Sequence, residues 1–162
     1  MTAESAGAPG WRPRVWFTWA RQRLEGVPLS IIQLAMRIAV GSVFFKAGLL
    51  KYNSFEFAIK LFEDEYKVPV LAPAVAARLA MFNELTWPMF LFFGLATRFA
   101  TLPLLAMVTV IQLFVYPEAW TDNLLWASIL VLLLTRGAGT LSVDYLIERR
   151  LASSSTSAEP SR

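Results

Sequence analysis

The chain has 162 residues, is 56% hydrophobic and only 17% charged, and carries a net charge of +3 spread along its length, with a mean hydropathy of +0.51. A soluble domain of that length would leave much of its apolar surface in water, so one integral membrane domain is the expected class, without the basic footprint of a nucleic-acid binder. With no cysteine and no histidine, the chain is excluded from disulfide exchange, c-type haem attachment, Fe–S clusters, zinc–thiolate sites and imidazole acid–base chemistry.

Residues 1–28 form a basic and aromatic segment. Its stretch WRPRVWFTWARQRLEG (11–26) suits either a helix lying in the membrane interface or a linker whose arginines only fix topology. Its start lacks the pattern of a cleaved signal peptide. The first ten residues and the serine-rich end, 152–162, are expected to be disordered. Residues 29–148 are read as the membrane domain and 149–162 as a tail.

Four apolar segments are expected to cross the bilayer. The first, residues 29–50, would be roughly 33 Å long as a helix. The second, 74–96, is interrupted by Pro88. The third, 100–117, opens with Pro103 in its first turn, where proline is tolerated. The fourth, 123–138, is short. Between the first two lies 51–73, where Phe55, Ile59 and Phe62 share a helical face. That pattern predicts a short amphipathic helix on the membrane surface, ended by Pro69. A second interfacial helix follows the fourth span, with Ser142 or Asp144 as its N-cap. The fold class is therefore all-α, an integral membrane four-helix bundle with short interfacial helices.

Basic residues set the orientation. With both termini inside, the cytoplasmic parts hold nine arginines (Arg12, Arg14, Arg21, Arg23, Arg98, Arg136, Arg149, Arg150 and Arg162). The external loops hold three lysines, Lys51, Lys60 and Lys67. That bias places both termini in the cytoplasm.

The charges within the spans are the candidate site. Ser30, Gln33, Arg37, Gly41, Phe44, Gly48 and Lys51 follow spacings of three and four and so share one face, which turns Arg37 toward the bundle. Lys46 lies on the opposite face and is expected to snorkel to the interface. Glu84 lies deep in the second span beside Asn83, and Pro88 withholds the N–H that would bond the Glu84 carbonyl. Measured from the inner boundary, Arg37 lies at roughly 12 Å and Glu84 at roughly 18 Å, within an arginine's reach, so the two are expected to pair. Thr101, Leu105, Thr109, Gln112 and Tyr116 share a face of the third span, adding Gln112 to a candidate polar interior of Arg37, Glu84 and Gln112. That interior is open to three uses: a structural ion pair, a pocket for a polar headgroup such as a quinone, or an ion pathway.

Three blocks carry a resemblance: RIAVGSVFFKAGLLKY (37–52), NELTWPMFLFFGLATRFATLPLLA (83–106) and LLWASILVLLLTRGAGTLSVD (124–144). In order and spacing, with the turn Gly94, Thr97, Arg98 and the closing glycine-rich turn ending in aspartate, they resemble the DoxX family of small bacterial membrane proteins. The resemblance implies a four-helix protein of the cytoplasmic (inner) membrane. Some relatives are the small subunit of a thiosulfate:quinone oxidoreductase, and others join membrane-associated oxidoreductase complexes that protect against oxidative or thiol stress. The family's polar pattern falls on Arg37, Lys51, Glu84, Arg98 and Asp144, and no catalytic assignment comes with it. The expected function is a membrane subunit that anchors or assembles a sulfur-, thiol- or quinone-linked oxidoreductase, with no intrinsic cofactor, in contact with lipid and protein partners. A quinone-interacting subunit and a small-solute transporter are the alternatives. Nothing in the sequence opposes self-association.

Overall fold

The computed structural model describes residues 13–156, and among them every regular element is helical. The disorder expected of residues 1–10 and of the end of the serine-rich tail lies outside the described residues. Helix α1 (Pro13–Glu25) precedes the long α2 (Leu29–Asn53). Helix α3 (Phe55–Leu61) widens into a π-helical turn over Phe62–Tyr66. Helix α4 (Pro73–Phe93) is followed by α5 (Thr97–Val110), which widens into a second π-helical turn over Ile111–Val115. Helices α6 (Trp120–Arg136) and α7 (Val143–Thr156) complete the described residues, and α7 runs further into the serine run than its polar composition predicted.

Helix α2 packs on α4, α4 on α5, α5 on α6, and α6 returns to α2, closing a four-membered ring. Neighbours run antiparallel: Gly48 faces Glu84 and Leu85 while Arg37 reaches Leu91, and Gln33 meets Gly137 while Phe44 meets Trp126. Two glycines let α2 and α4 approach. A Cβ on Gly41 would stand 2.6 Å from the Phe92 ring, and one on Gly48 2.9 Å from Glu84 and Leu85. Distances that short displace whole side chains, so the small residues set the register of this helix pair. The central core is Val40, Phe44, Leu91, Ala100, Leu104, Val108, Leu130 and Leu133.

The outward faces are apolar. Ile31, Ile38, Leu50, Phe82, Phe93, Phe99, Leu113, Leu124 and Val131 are all exposed, whereas Gln33, Arg37, Glu84, Thr97, Thr101 and Asn123 are buried. Burying polar groups and exposing large hydrophobics is favourable only where the surroundings are themselves apolar. By length and composition, α2 and the Thr97–Val115 rod are long and apolar enough to cross a membrane. Helix α4, at 21 residues, carries Arg78 and Glu84, and α6 has 17 residues.

Three local expectations are corrected. Pro88 does not break its helix: it is buried inside a continuous α4, tolerated because packing against α2 and α5 holds the turn in place. Pro103 is not in a first turn, because α5 begins at Thr97 and places Pro103 well inside. The apolar face of α3 does not lie on lipid. Phe62, with Phe55 and Ile59 beside it, packs on Ala76 and Ala77 of α4, and the segment ends at Lys67, in the left-handed region (φ 41°), rather than at Pro69.

Candidate functional site

The buried charges separate into two sites at opposite ends of the bundle. At the end formed by the start of α2, the α4–α5 turn and α7, Arg37 is fully buried and donates to the carbonyls of Leu91 (3.3 Å) and Leu141. Gly94 makes room for it. A Cβ there would collide with the Arg37 guanidinium and lie 2.6 Å from the Ser142 side chain, and φ of +65° already favours glycine. Asp144, near enough to act on Arg37 electrostatically, accepts from the backbone N–H groups of Ala96 (2.6 Å) and Thr97 (3.0 Å). It therefore caps the start of α5 from another helix and secures Ala96, which sits in the left-handed region at φ 45°. Ser142 is the N-cap of α7 and accepts from the Tyr145 N–H at 3.2 Å. Gln33 donates to the Gly137 carbonyl at 3.1 Å, and Ser30 bonds Thr140. Apart from the local Ser142 cap, every contact here ties one chain segment to another. This is a structural clasp.

The expected Arg37–Glu84 pair does not form. The first turns of α2 overshoot the end of α4 and rest on the 137–140 loop, so Arg37 lies level with Leu91 and Gly94. Glu84 lies level with Gly48, eleven residues and roughly 16 Å further along α2. The two helices are not level at their inner ends.

Glu84 instead takes Lys51. The ammonium donates to both carboxylate oxygens, at 2.7 and 2.8 Å, and the two side chains are 16% and 6% exposed. Lys51 comes from the last turn of α2 and Glu84 from the middle of α4, so the pair bridges the helices just where Gly48 lets them touch. A desolvated ion pair is seldom a net source of stability, although breaking one is costly.

The pair lines a cavity of about 460 Å³, within the ~300–1,000 Å³ range of small-ligand pockets. Its walls are mostly apolar, from Phe44, Leu79, Pro103, Met107, Ile111 and Trp126, with Asn83, Glu84 and Lys51 among its polar lining. Asn83 is held by the Trp87 indole N–H at 2.7 Å. At the outer side Tyr66 and Tyr116 stack edge-on, ring centroids 5.7 Å apart. The Tyr116 hydroxyl donates to Glu65 at 2.9 Å and stands 3.4 Å from that of Tyr66. Burial, the Tyr116 hydrogen bond and the negative charge of Glu65 and Glu84 push the Tyr66 hydroxyl well above the ordinary tyrosine range, so it stays protonated. The two π-helical turns meet here, and π-turns within helices often mark functional sites.

Of the remaining expected residues, Gln112 joins neither charged site. It bonds Asn123 (2.8 Å) and the Pro117 carbonyl (2.8 Å), securing the α5–α6 turn. Thr109 bonds its own helix at Leu105. Lys46 is exposed. Arg98 is exposed above Gly137. Sequence reasoning passed over Tyr66 and Arg78. Tyr66 continues the three-and-four spacing of Phe55, Ile59 and Phe62 and packs against the same cluster, but its place at the cavity depends on Tyr116, 50 residues away. Arg78, over the Phe55 ring at 5.5 Å, was lost inside an apolar run.

Apolar outward faces around inward-turned charges define a helical membrane protein rather than a water-soluble bundle. Comparison with known proteins gives the family. The DoxX family model matches residues 32–117, a stretch that includes Arg37, Lys51, Glu84 and Arg98. An uncharacterized protein of Haemophilus influenzae is 31% identical over 137 residues, 78% of this chain and 90% of that protein. The chain belongs to the DoxX family. No solved structure matches it.

Proposed function

We propose that this chain is a four-span inner-membrane subunit of a membrane-associated oxidoreductase, and that its role there is to hold a quinone in the Lys51–Glu84 cavity. The observation that carries this is the cavity itself, with apolar walls suited to a prenylated ring and one charged pair in its lining. Lys51 is placed to donate to a quinone carbonyl. Glu84 is placed to accept from a hydroquinone hydroxyl and to exchange its proton. Quinone chemistry also requires two electrons, and with no cysteine or histidine in the chain the electron donor or acceptor is assigned to a partner subunit. That assignment retains the anchoring role implied by the family resemblance. It also disfavours an ion pathway, because the two charged sites are separated by the packed core of Val40, Phe44 and Leu91.

The spans are α2, α4, α5 and α6, with both termini cytoplasmic. Counting Arg78 with the external lysines, the basic residues divide nine to four, still a positive-inside bias. The test is purification in mild detergent, followed by organic extraction. Quinone near one equivalent per chain is expected in wild type, falling several-fold in Glu84→Gln with Lys51→Met, together with a co-purifying redox protein. Equal quinone in both preparations would remove the cavity from the account.

A further inference from the structure

A second cavity, of about 580 Å³, opens at the clasp end between the starts of α2 and α5 and the 137–140 loop. We infer that it is a binding site for the phosphate group of an anionic lipid, held between Arg98 and Arg136.

Four observations support it. Arg98 and Arg136 both line the cavity. The Arg98 Nε and Nη2 stand 3.5 and 3.8 Å from where a Gly137 Cβ would be, so its guanidinium lies over the backbone next to Arg136. Gly137, with φ of +79° and no side chain, leaves that approach open. Neither arginine has an ion-pair partner among the described residues, where the pairs are Arg21–Glu25 and Lys51–Glu84. Two cations that line one cavity without an ion-pair partner repel one another unless an anion lies between them, and arginine's planar fork matches phosphate oxygens.

On the same wall, Thr97 is fully buried and its hydroxyl has no hydrogen-bond partner among the described residues. The rim carries apolar groups as well. Leu29 and Phe99 line the cavity and are 53% and 62% exposed, offering a path by which an acyl chain leaves the headgroup site for the bilayer. Asp144 lines the cavity too, but its oxygens are already engaged by Ala96 and Thr97. Among the described residues, Glu148, on the α7 side, is the acidic rim residue without such bonds, and it opposes an anion.

The experiment is binding by the full chain, delipidated in neutral detergent, of three probes: phosphatidylglycerol, diacylglycerol and inorganic phosphate. Phosphatidylglycerol should bind saturably and diacylglycerol should not. Arg98→Gln with Arg136→Gln should weaken phosphatidylglycerol binding at least about tenfold, since each arginine supplies charge-assisted hydrogen bonds. The exposed Arg149→Gln should leave it unchanged, and Glu148→Gln should tighten it by removing a like charge. Inorganic phosphate binding as tightly as phosphatidylglycerol would support the arginine site while assigning it to a free anion. Equal binding of diacylglycerol, or unchanged phosphatidylglycerol binding in the double variant with its fold intact, would overturn the inference. The site lies at the opposite end of the bundle from the Lys51–Glu84 cavity, so either proposal can fail without the other.

Discussion

Removing Lys51 alone should destabilise the bundle more than removing both members of its pair. In Lys51→Met, Glu84 keeps a carboxylate that is only 6% exposed on its side chain, surrounded by Gly48, Leu85 and the apolar cavity wall. Stranding a buried ion costs roughly 3–5 kcal/mol, less whatever protonation or an entering water relieves. Glu84→Gln strands the ammonium instead, and the lysine stem can partly carry it toward the outer interface, so its loss should be the smaller. For a chain of this length, roughly 3 kcal/mol corresponds to a fall in Tm of about 6–12 °C. The double variant leaves no unmatched charge and should recover at least half of the single-variant loss. The assay is a double-mutant cycle on thermal unfolding in one detergent, with Arg37→Met as a comparison. Arg37→Met should also destabilise, but Glu84→Gln should not rescue it, because Arg37 bonds carbonyls of Leu91 and Leu141. Strict additivity of the Lys51 and Glu84 losses, or rescue of Arg37→Met by Glu84→Gln, would refute the pairing.

Gly94→Ala should lower stability by roughly 1–3 kcal/mol or more, because it combines a left-handed backbone with a collision against Arg37 and Ser142; unchanged thermal unfolding would remove the clasp's tight fit. Asp144→Ala should cost roughly 1–2 kcal/mol through loss of the cap on α5, with amide exchange at Ala96 and Thr97 accelerating first. In an alkaline absorbance titration one of the four tyrosines should ionise last, and that late component should vanish in Tyr66→Phe. Because the folded-state value is raised above the unfolded value of 10.0, the Tyr66 contribution is fully present below about pH 10 and is lost as pH rises beyond it. A cytoplasm-only reporter should work at Arg98 and fail at Glu63 or Asp122, and activity at Glu63 would contradict the four-span arrangement.

Periodicity made some of this legible in the sequence and left the rest hidden. The three-and-four spacing of Gln33, Arg37, Gly41, Phe44 and Gly48 correctly turns that face inward, since all five are buried. Periodicity gives a residue's direction about its own helix, but not the height at which a neighbouring helix meets it. The offset between α2 and α4 is fixed by contacts of Gly41 with Phe92 and Gly48 with Leu85, so the depth estimate paired Glu84 with the wrong cation. Asp144 looked like a cap for its own helix because short-range capping is what local sequence reveals. Its cap on α5 spans 48 residues and depends on how the 137–142 turn folds back. The Phe55, Ile59, Phe62 face was read correctly as apolar. Its partner proved to be Ala76 and Ala77, small residues whose role appears only once α4 lies against α3. Tyr66 continues that same spacing, and its place at the cavity was illegible because its partner Tyr116 lies 50 residues further on.

The central claim is that a quinone headgroup sits between α2 and α4 at Lys51 and Glu84. Photolabelling the purified full chain with an azidoquinone, then mapping the adduct by mass spectrometry, tests it most directly. The account predicts adducts on peptides carrying Val43–Lys51 positions, Asn83–Glu84 or Met107–Ile111 positions, competed away by unlabelled quinone and lost in the Lys51→Met, Glu84→Gln double variant. Adducts confined to the clasp end around Ser30, Arg98 and Gly137, or labelling that unlabelled quinone does not compete, would contradict it.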